Sequence, residues 1–347
     1  MQKPKHILVI RLSAMGDVAM TVPVLSCMQK AYPEVRITLL TRKFFAPIFA
    51  QLPNVEVYEA DVKGKHKGLG GLKRLSGELR IKKIDAVADL HNVLRSNILK
   101  RFFRFYGIPV KQIKKGRAEK NALTRSQNKQ FQQLKSTHRR YAEVFEALGF
   151  QLDLAEFEYL EKIKLSPELT KELGNQPIKW VGVAPFAQHP SKIYPLKLME
   201  QVLAKLDELA GLHIFLFGGP DEASVLEEWE SQFSQVKSMA GKIPFSQELA
   251  LISNLDVMLS MDSGNGHLAA NYGVPVITMW GLTHPYAGFA PFRQPPELQL
   301  LTDRHQYPLI PTSIYGNVMP SGYENAMKTI SPASVVKKVK EALSLPE

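Results

Sequence analysis

A single cysteine, Cys27, stands in 347 residues. A lone thiol in an apolar-periodic stretch supports no disulfide framework and no thiolate metal cluster, and is expected to be a buried structural side chain. Long apolar runs are also missing. Residues 7–10 are too few for a signal peptide or a spanning helix, and no window approaches the roughly 18 apolar residues that crossing a bilayer needs. The chain is therefore expected in the cytoplasm. The motifs H-E-x-x-H, C-x-x-C, G-x-x-x-x-G-K-[ST] and G-x-S-x-G are absent, which removes metalloprotease, zinc-site, P-loop and serine-hydrolase chemistry. No G-x-G-x-x-G follows the first apolar run, which counts against an NAD or FAD enzyme.

What remains is an ordinary globular composition, 45% hydrophobic and 22% charged, long enough for two domains at roughly 100–200 residues each. The net charge of +11 is uneven. Residues 1–165 hold 31 Lys and Arg against 15 Asp and Glu, whereas residues 166–347 hold 13 against 18. The basic excess thus belongs to the N-terminal half, which is either suited to an acidic partner (nucleic acid, an anionic membrane or a phosphorylated substrate) or a solvated surface that aids solubility. The Lys- and Gly-rich stretch 61–71, expected as a mobile surface loop, and the polar stretch 111–133 are candidates for that contact.

Apolar runs at 7–10, 36–40, 55–58 and 86–90 read as buried strands, with helical periodicity at 18–32, 72–80 and 134–149. A second series places strands at 180–184, 213–217, 257–260 and 274–280, with helices at 196–210, 222–233 and 247–253. Strands alternating with helices imply parallel βαβ units. The expected architecture is α/β: two Rossmann-like doubly wound domains, 1–165 and 166–330, facing a cleft. Residues 160–177 lie between them, and the segment 331–347 forms a C-terminal helix that packs back on the first domain.

Four strand-end loops carry candidate chemistry, because open α/β sheets bind ligands there. In Arg11-Leu-Ser-Ala-Met-Gly16-Asp17, Gly16 permits close backbone approach. Asp17 is either a helix cap or a general base. The loop 184–195 presents Gln188, His189, Ser191 and Lys192; Lys192 is a solvent lysine or a cation that neutralises phosphate. In Asp262-Ser263-Gly264-Asn265-Gly266-His267 a turn enters a helix whose free amides suit a diphosphate. Asp262 there orients loop amides or a ribose hydroxyl, and His267 is more often a packing or hydrogen-bonding residue than a catalyst. Thr283 follows the next strand, with Met279 and Trp280 either flanking a base or lying in the core. Gly219 belongs to a further loop that is either ligand-facing or a plain helix start.

In order and spacing these pieces resemble glycosyltransferase family 9, the bacterial heptosyltransferases of lipopolysaccharide core assembly. The matching segments are Arg11-Leu-Ser-Ala-Met-Gly-Asp17, Asp89-Leu-His-Asn-Val-Leu-Arg-Ser96, Pro185 to Lys192, Phe217-Gly-Gly-Pro-Asp-Glu222, Asp262-Ser-Gly-Asn-Gly-His-Leu-Ala-Ala270 and Trp280-Gly-Leu-Thr283. The resemblance implies a GT-B fold and inverting transfer from ADP-heptose to a Kdo/lipid A type acceptor, with no cofactor and no protein metal site. It implies Asp17 as catalytic base and Lys192 at the diphosphate. Gln188, Ser191, Asp262, Ser263, Gly264, Asn265, His267, Thr283, Gly219 and Met279 fall on the donor side, and Ser13, Gly16, His91 and Arg95 on the acceptor side. Partners would be an ADP-sugar, an anionic glycolipid and, transiently, the inner-membrane surface, but not nucleic acid. The enzyme would be peripheral on the inner face of that membrane. Two competing readings are a related GT-B transferase with another nucleotide-sugar or acceptor, and a non-catalytic module that binds anionic glycolipid.

Overall fold

The computed structural model describes residues 3–173 and 178–345. Residues 174–177, the end of the expected inter-domain stretch, and 346–347 of the expected C-terminal segment lie outside the described residues. The chain forms two compact units. One is Met1–Lys115 with Ser136–Tyr159; the other is Gly116–Lys135 with Leu160–Glu347.

The first unit is a five-stranded parallel sheet. Its strands are β1 (His6–Ile10), β2 (Arg36–Thr41), β3 (Val55–Glu59), β4 (Ala86–Asp89) and β5 (Val110–Gln112), in the order β3-β2-β1-β4-β5. Every residue of β1 and β4 is buried, as expected of parallel strands covered on both faces. The helices are α1 (Met15–Ala19), α2 (Thr21–Ala31), α3 (Gly68–Ile81) and α4 (Leu94–Phe105), followed after an excursion by α6 (Thr137–Glu146). Cys27 is buried in α2 and joins no disulfide among the described residues. Leu8, Ile10 and Val87 from the sheet pack with Leu72, Leu75 and Leu79 of α3 and Leu99 and Phe103 of α4. Those helix residues recur at three- and four-residue spacing, so one stripe of each helix meets the sheet.

The excursion is residues Gly116–Lys135, which carry α5 (Arg117–Thr124) and belong to the second unit. Leu123 and Leu134 pack there with Ala287 against Phe131, Tyr286, Phe289 and Ile314. The Lys129 ammonium donates to three carbonyls, of Leu123 (3.1 Å), Leu309 (2.7 Å) and Pro311 (2.8 Å). Burial and then the nearby Arg304 charge lower its pKa to about 8. Residues 111–133, read as a basic surface stretch of the first domain, are thus largely tied into the second unit.

The second unit has six parallel strands: β6 (Lys179–Ala184), β7 (Leu212–Leu216), β8 (Val236–Ser238), β9 (Val257–Met261), β10 (Val276–Trp280) and β11 (Gln299–Leu301), in the order β11-β10-β9-β6-β7-β8. Its helices are α7 (Pro167–Leu173), α8 (Leu196–Asp207), α9 (Ala223–Gln232), α10 (Phe245–Asn254), α11 (Gly264–Asn271) and α12 (Pro332–Ala342). The stretch read as inter-domain is pinned to this unit: the Leu160 amide donates to the Asn271 carbonyl, and the Ile163 amide to Ser253 Oγ. The helix expected to pack back on the first domain is α12. Ser331 Oγ caps it, with Pro332 at its first turn. It lies against α8, and Val335 and Val339 join the second unit's core.

Candidate active site

Strand order locates the ligand-binding ends before any side chain is considered. In the first sheet the chain winds from β1 outward to β3 and then restarts at β4 on the other side of β1. The switch point is therefore between β1 and β4, where the following loops part and leave a crevice. In the second sheet β7 and β8 lie to one side of β6, and β9, β10 and β11 to the other. Its switch point falls between β6 and β9.

At the first switch point the loops after β1 and β4 touch. His91 Nδ1 lies 3.4 Å from the Leu12 amide, and Nε2 lies 3.5 Å from Ser13 Oγ. Burial, and next the positive charge of Arg11, push the His91 pKa down to about 4, so the ring is neutral and accepts at Nδ1. The loop behind it is fixed by Asp89, which has no solvent exposure. Asp89 Oδ1 accepts from the His91 and Asn92 amides, both at 2.9 Å. Its Oδ2 accepts from Ser96 Oγ (3.0 Å) and pairs with the buried Lys100 ammonium at 2.6 Å.

A cleft of about 580 Å³ opens here. Ser13, His91 and Arg95, expected on the acceptor side, line it together with Arg42, Lys43 and Lys63. Gly16 does not line it; it lies inside α1, where its carbonyl accepts from the Met20 amide. Arg42 and Lys43 escaped the sequence reading, although a basic pair directly past the end of β2 obeys the same strand-end rule as the loops that were singled out. The segment read as a mobile loop is held by internal contacts. Asp61 accepts from the Gly64 and Lys65 amides, and the His66 side chain is buried against Glu78 at 3.1 Å. Gly71 is required there, because a Cβ would fall 2.4 Å from the His66 carbonyl carbon.

Asp17 is in the first turn of α1, whose N-cap is Ala14, so it is not the capping residue. Its Oδ2 pairs with Arg11 Nη2 at 2.5 Å. Arg11 is buried, donates to the Leu90 carbonyl at 2.8 Å and thereby fixes the carboxylate against the switch point. Asp17 keeps about a quarter of its side chain exposed, 24%, so one face remains open to a ligand.

The second switch point joins three of the expected donor residues. Lys192 Nζ pairs with Asp262 Oδ2 at 3.0 Å, and Thr283 Oγ1 donates to the same oxygen at 2.9 Å. Asp262 thus carries a cation and a side-chain hydroxyl, partners other than the loop amides or ribose hydroxyl considered from sequence. Beyond it α11 starts at Gly264. Its N-cap Ser263 makes no side-chain bond to the first turn, whose amides have no side-chain partner among the described residues. Asn265 Oδ1 is buried with no hydrogen-bond partner among the described residues, and His267 is buried one turn on.

Three donor-side expectations change. Met279 points into the core cluster with Ile277 and Leu259, fully buried, because that side of β10 faces α8 and α12. The Ser191 hydroxyl is buried and donates to the Gly316 carbonyl, so it is structural. The Gly219 amide donates to Glu222 Oε2 at 2.6 Å, which makes that loop a closed helix start. Gln188 is exposed on the loop. Gly316 was not anticipated. It adopts φ +82° and passes so close to Lys192 that a Cβ would lie 2.4 Å from Lys192 Cδ.

The glycosyltransferase family 9 (heptosyltransferase) model matches residues 72–295, well over half the chain and spanning Asp89, Lys192, Asp262 and Thr283. The chain belongs to this family. It is 26% identical over 299 residues to the lipopolysaccharide core heptosyltransferase OpsX of Haemophilus influenzae, covering 82% of this chain and 81% of the relative. To the lipopolysaccharide heptosyltransferase 1 of Campylobacter coli it is 28% identical over 305 residues, 81% of this chain and 85% of the other. Among solved structures it resembles a family 9 glycosyl transferase from Veillonella parvula, with TM-score 0.76 and 20% identity over 98% and 97% of the two chains. It also resembles the Escherichia coli heptosyltransferase WaaC with ADP, with TM-score 0.67 and 18% identity over 97% and 99%. The family 9 chain is thus a glycosyltransferase, and its two doubly wound parallel sheets are those of the GT-B fold.

Proposed function

We propose that the chain transfers heptose from ADP-heptose, with inversion, to the inner core of lipopolysaccharide, on an acceptor of the Kdo/lipid A type. The observation that carries this reading is the Lys192–Asp262–Thr283 cluster at the second switch point, beside the open first turn of α11. Backbone donors and a helix dipole bind a diphosphate well. A fixed ammonium beside them stabilises the charge that develops as the diphosphate leaves. The names of the relatives support the sugar and the acceptor, and the E. coli structures with ADP and with ADP-2-deoxy-2-fluoro heptose support the nucleotide.

The second unit binds the donor in this reading, and the first binds the acceptor. Four cations around the first cleft, Arg42, Lys43, Lys63 and Arg95, outnumber its two carboxylates, Glu59 and Asp61, and fit an acceptor that carries phosphates or carboxylates. Asp17, held by Arg11, takes the proton from the acceptor hydroxyl as that oxygen attacks the anomeric carbon. The anomeric C–O bond to the diphosphate breaks, and ADP departs with the electron pair. Charge on the diphosphate is met by Lys192 and the α11 amides, without a metal. No helix among the described residues is long and apolar enough to cross a membrane. In this reading the enzyme meets its lipid acceptor as a peripheral protein on the cytoplasmic face of the inner membrane.

Calorimetry with ADP, UDP and GDP tests the donor reading. ADP should bind most tightly, and Lys192→Ala should weaken it by at least about tenfold, the loss expected for one charge-assisted contact to phosphate. A preference for UDP or GDP would keep the transferase and discard ADP-heptose. No binding by any of the three would sink the donor site.

A further inference from the structure

A surface helix ordinarily turns charges of both signs to solvent. Neither α3 nor α4 does. The two helices pack side by side. On α4, Leu94, Ile98, Arg101 and Phe105 recur at intervals of four, three and four residues and so share one stripe. Leu94 is 76% exposed and Phe105 is 84% exposed, with Arg104 beside it. On α3 the outward residues are Leu69, Lys73, Arg74, Arg80 and Ile81, the last 82% exposed.

The C-terminal ends of the two helices are joined at the surface. The Arg80 guanidinium lies 4.4 Å above the Tyr106 ring, and Tyr106 meets Phe105 edge to face at 5.5 Å. Acid is missing from this face. Glu78, the one acidic residue of α3, is engaged by Tyr58 and His66. No Asp or Glu occurs between Asp89 and Glu119, a stretch with eight Lys and Arg. Of the α4 cations only Lys100 is buried, against Asp89; Arg101 and Arg104 have no carboxylate partner among the described residues.

A covering surface must therefore be anionic and must also take up large apolar side chains spread along both helices, some 18–21 Å at 1.5 Å per residue. An anionic lipid interface has both properties: it attracts the cations and admits the apolar side chains between them. We propose that the outer face of α3 and α4 lies flat on an anionic bilayer. Arg95, in the first turn of α4, lines the acceptor cleft, so this docking holds the cleft at headgroup level. The purpose of the docking rests on the glycolipid reading of that cleft; the binding itself does not.

Flotation with vesicles of phosphatidylcholine containing about one-third phosphatidylglycerol tests it, against vesicles of phosphatidylcholine alone, as the cation attraction requires anionic lipid. The wild-type chain should float with the anionic vesicles only, and salt should release it. Each surface cation is worth roughly a fivefold change in binding, so Arg101→Glu with Arg104→Glu, which removes two cations and adds two anions, should weaken it by at least about 25-fold. Arg101→Lys with Arg104→Lys should retain binding, and Ile81→Ser with Phe105→Ser should weaken it while the positive charge is unchanged. All variants should keep the wild-type melting temperature and ADP affinity. The proposal is overturned if the wild type ignores anionic vesicles, as it would were an acidic protein the partner. Equal flotation with neutral vesicles, or with the double Glu variant, overturns it too. Vesicle binding without ADP binding would remove the ADP-heptose reading and leave the docking face standing; the reverse result would do the opposite.

Discussion

Lys100→Met should be among the most damaging single substitutions in the first unit, although the residue touches no ligand. The Lys100 side chain is 2% exposed and Asp89 has no exposure, and their charges meet at 2.6 Å. Removing one member of such a pair strands a charge in the interior and typically costs 3–5 kcal/mol. Asp89 would keep three hydrogen bonds, from the His91 and Asn92 amides and from Ser96. That residual solvation places the expected loss near the lower end, about 3 kcal/mol. Asp89→Asn alone should cost a similar amount, since it leaves the ammonium without its counter-charge. The double variant removes both charges and should lose much less than the sum of the two. Urea unfolding of the four proteins in a double-mutant cycle reads the coupling directly. A loss below about 1 kcal/mol for Lys100→Met, or strict additivity in the double variant, would refute the argument that this pair anchors the loop carrying His91.

Two further predictions concern the switch points. His91 has a folded pKa near 4 against an ordinary 6.5, so between those values the unfolded chain binds a proton that the folded chain does not. Its contribution is complete above pH 6.5 and is lost as pH falls towards 4, by up to about 2–3 kcal/mol at pH 4.5. Urea midpoints at pH 7 and 4.5 should diverge less in His91→Gln than in the wild type; equal divergence would exclude His91 as the cause. Gly316→Ala forces a left-handed residue to carry a Cβ into Lys192. It should cost about 1–2 kcal/mol in stability and weaken ADP binding by on the order of tenfold through displacement of Lys192. Unchanged ADP affinity would show that Gly316 does not position the lysine.

The apolar runs at 7–10 and 257–260 were legible because parallel strands covered on both faces leave continuous hydrophobic sequence. The three-residue edge strands Val110–Gln112, Val236–Ser238 and Gln299–Leu301 were not, since so short a run carries no period. Helix α4 was hidden by its outward Leu94 and Phe105, which break the two-faced pattern that marks a surface helix. The donor cluster was visible as separate loops after strand ends, and the sheet order explains why Lys192 and Asp262 meet although 70 positions apart. Met279 was misplaced because strand alternation, more than chemical type, decides which way a side chain points. His66 was invisible for a related reason. A Lys- and Gly-rich stretch looks solvated, and only the tertiary contact with Glu78 reveals what holds it.

The passage of Gly116–Lys135 into the second unit has a consequence for how the molecule can be divided. The backbone passes between the units at Lys115, again at Lys135 and a third time at Tyr159. A gene severed once, at any codon, therefore cannot yield both units whole. A fragment ending at residue 159 would carry Leu123, Phe131 and Leu134 without Tyr286, Phe289 and Ile314, and its Lys129 without the carbonyls of Leu309 and Pro311. The complementary fragment would lack the piece that completes it. Only mixing the two, so that the strap finds its carbonyl cage again, should restore a complete second unit, which makes the protein a natural subject for split-fragment complementation.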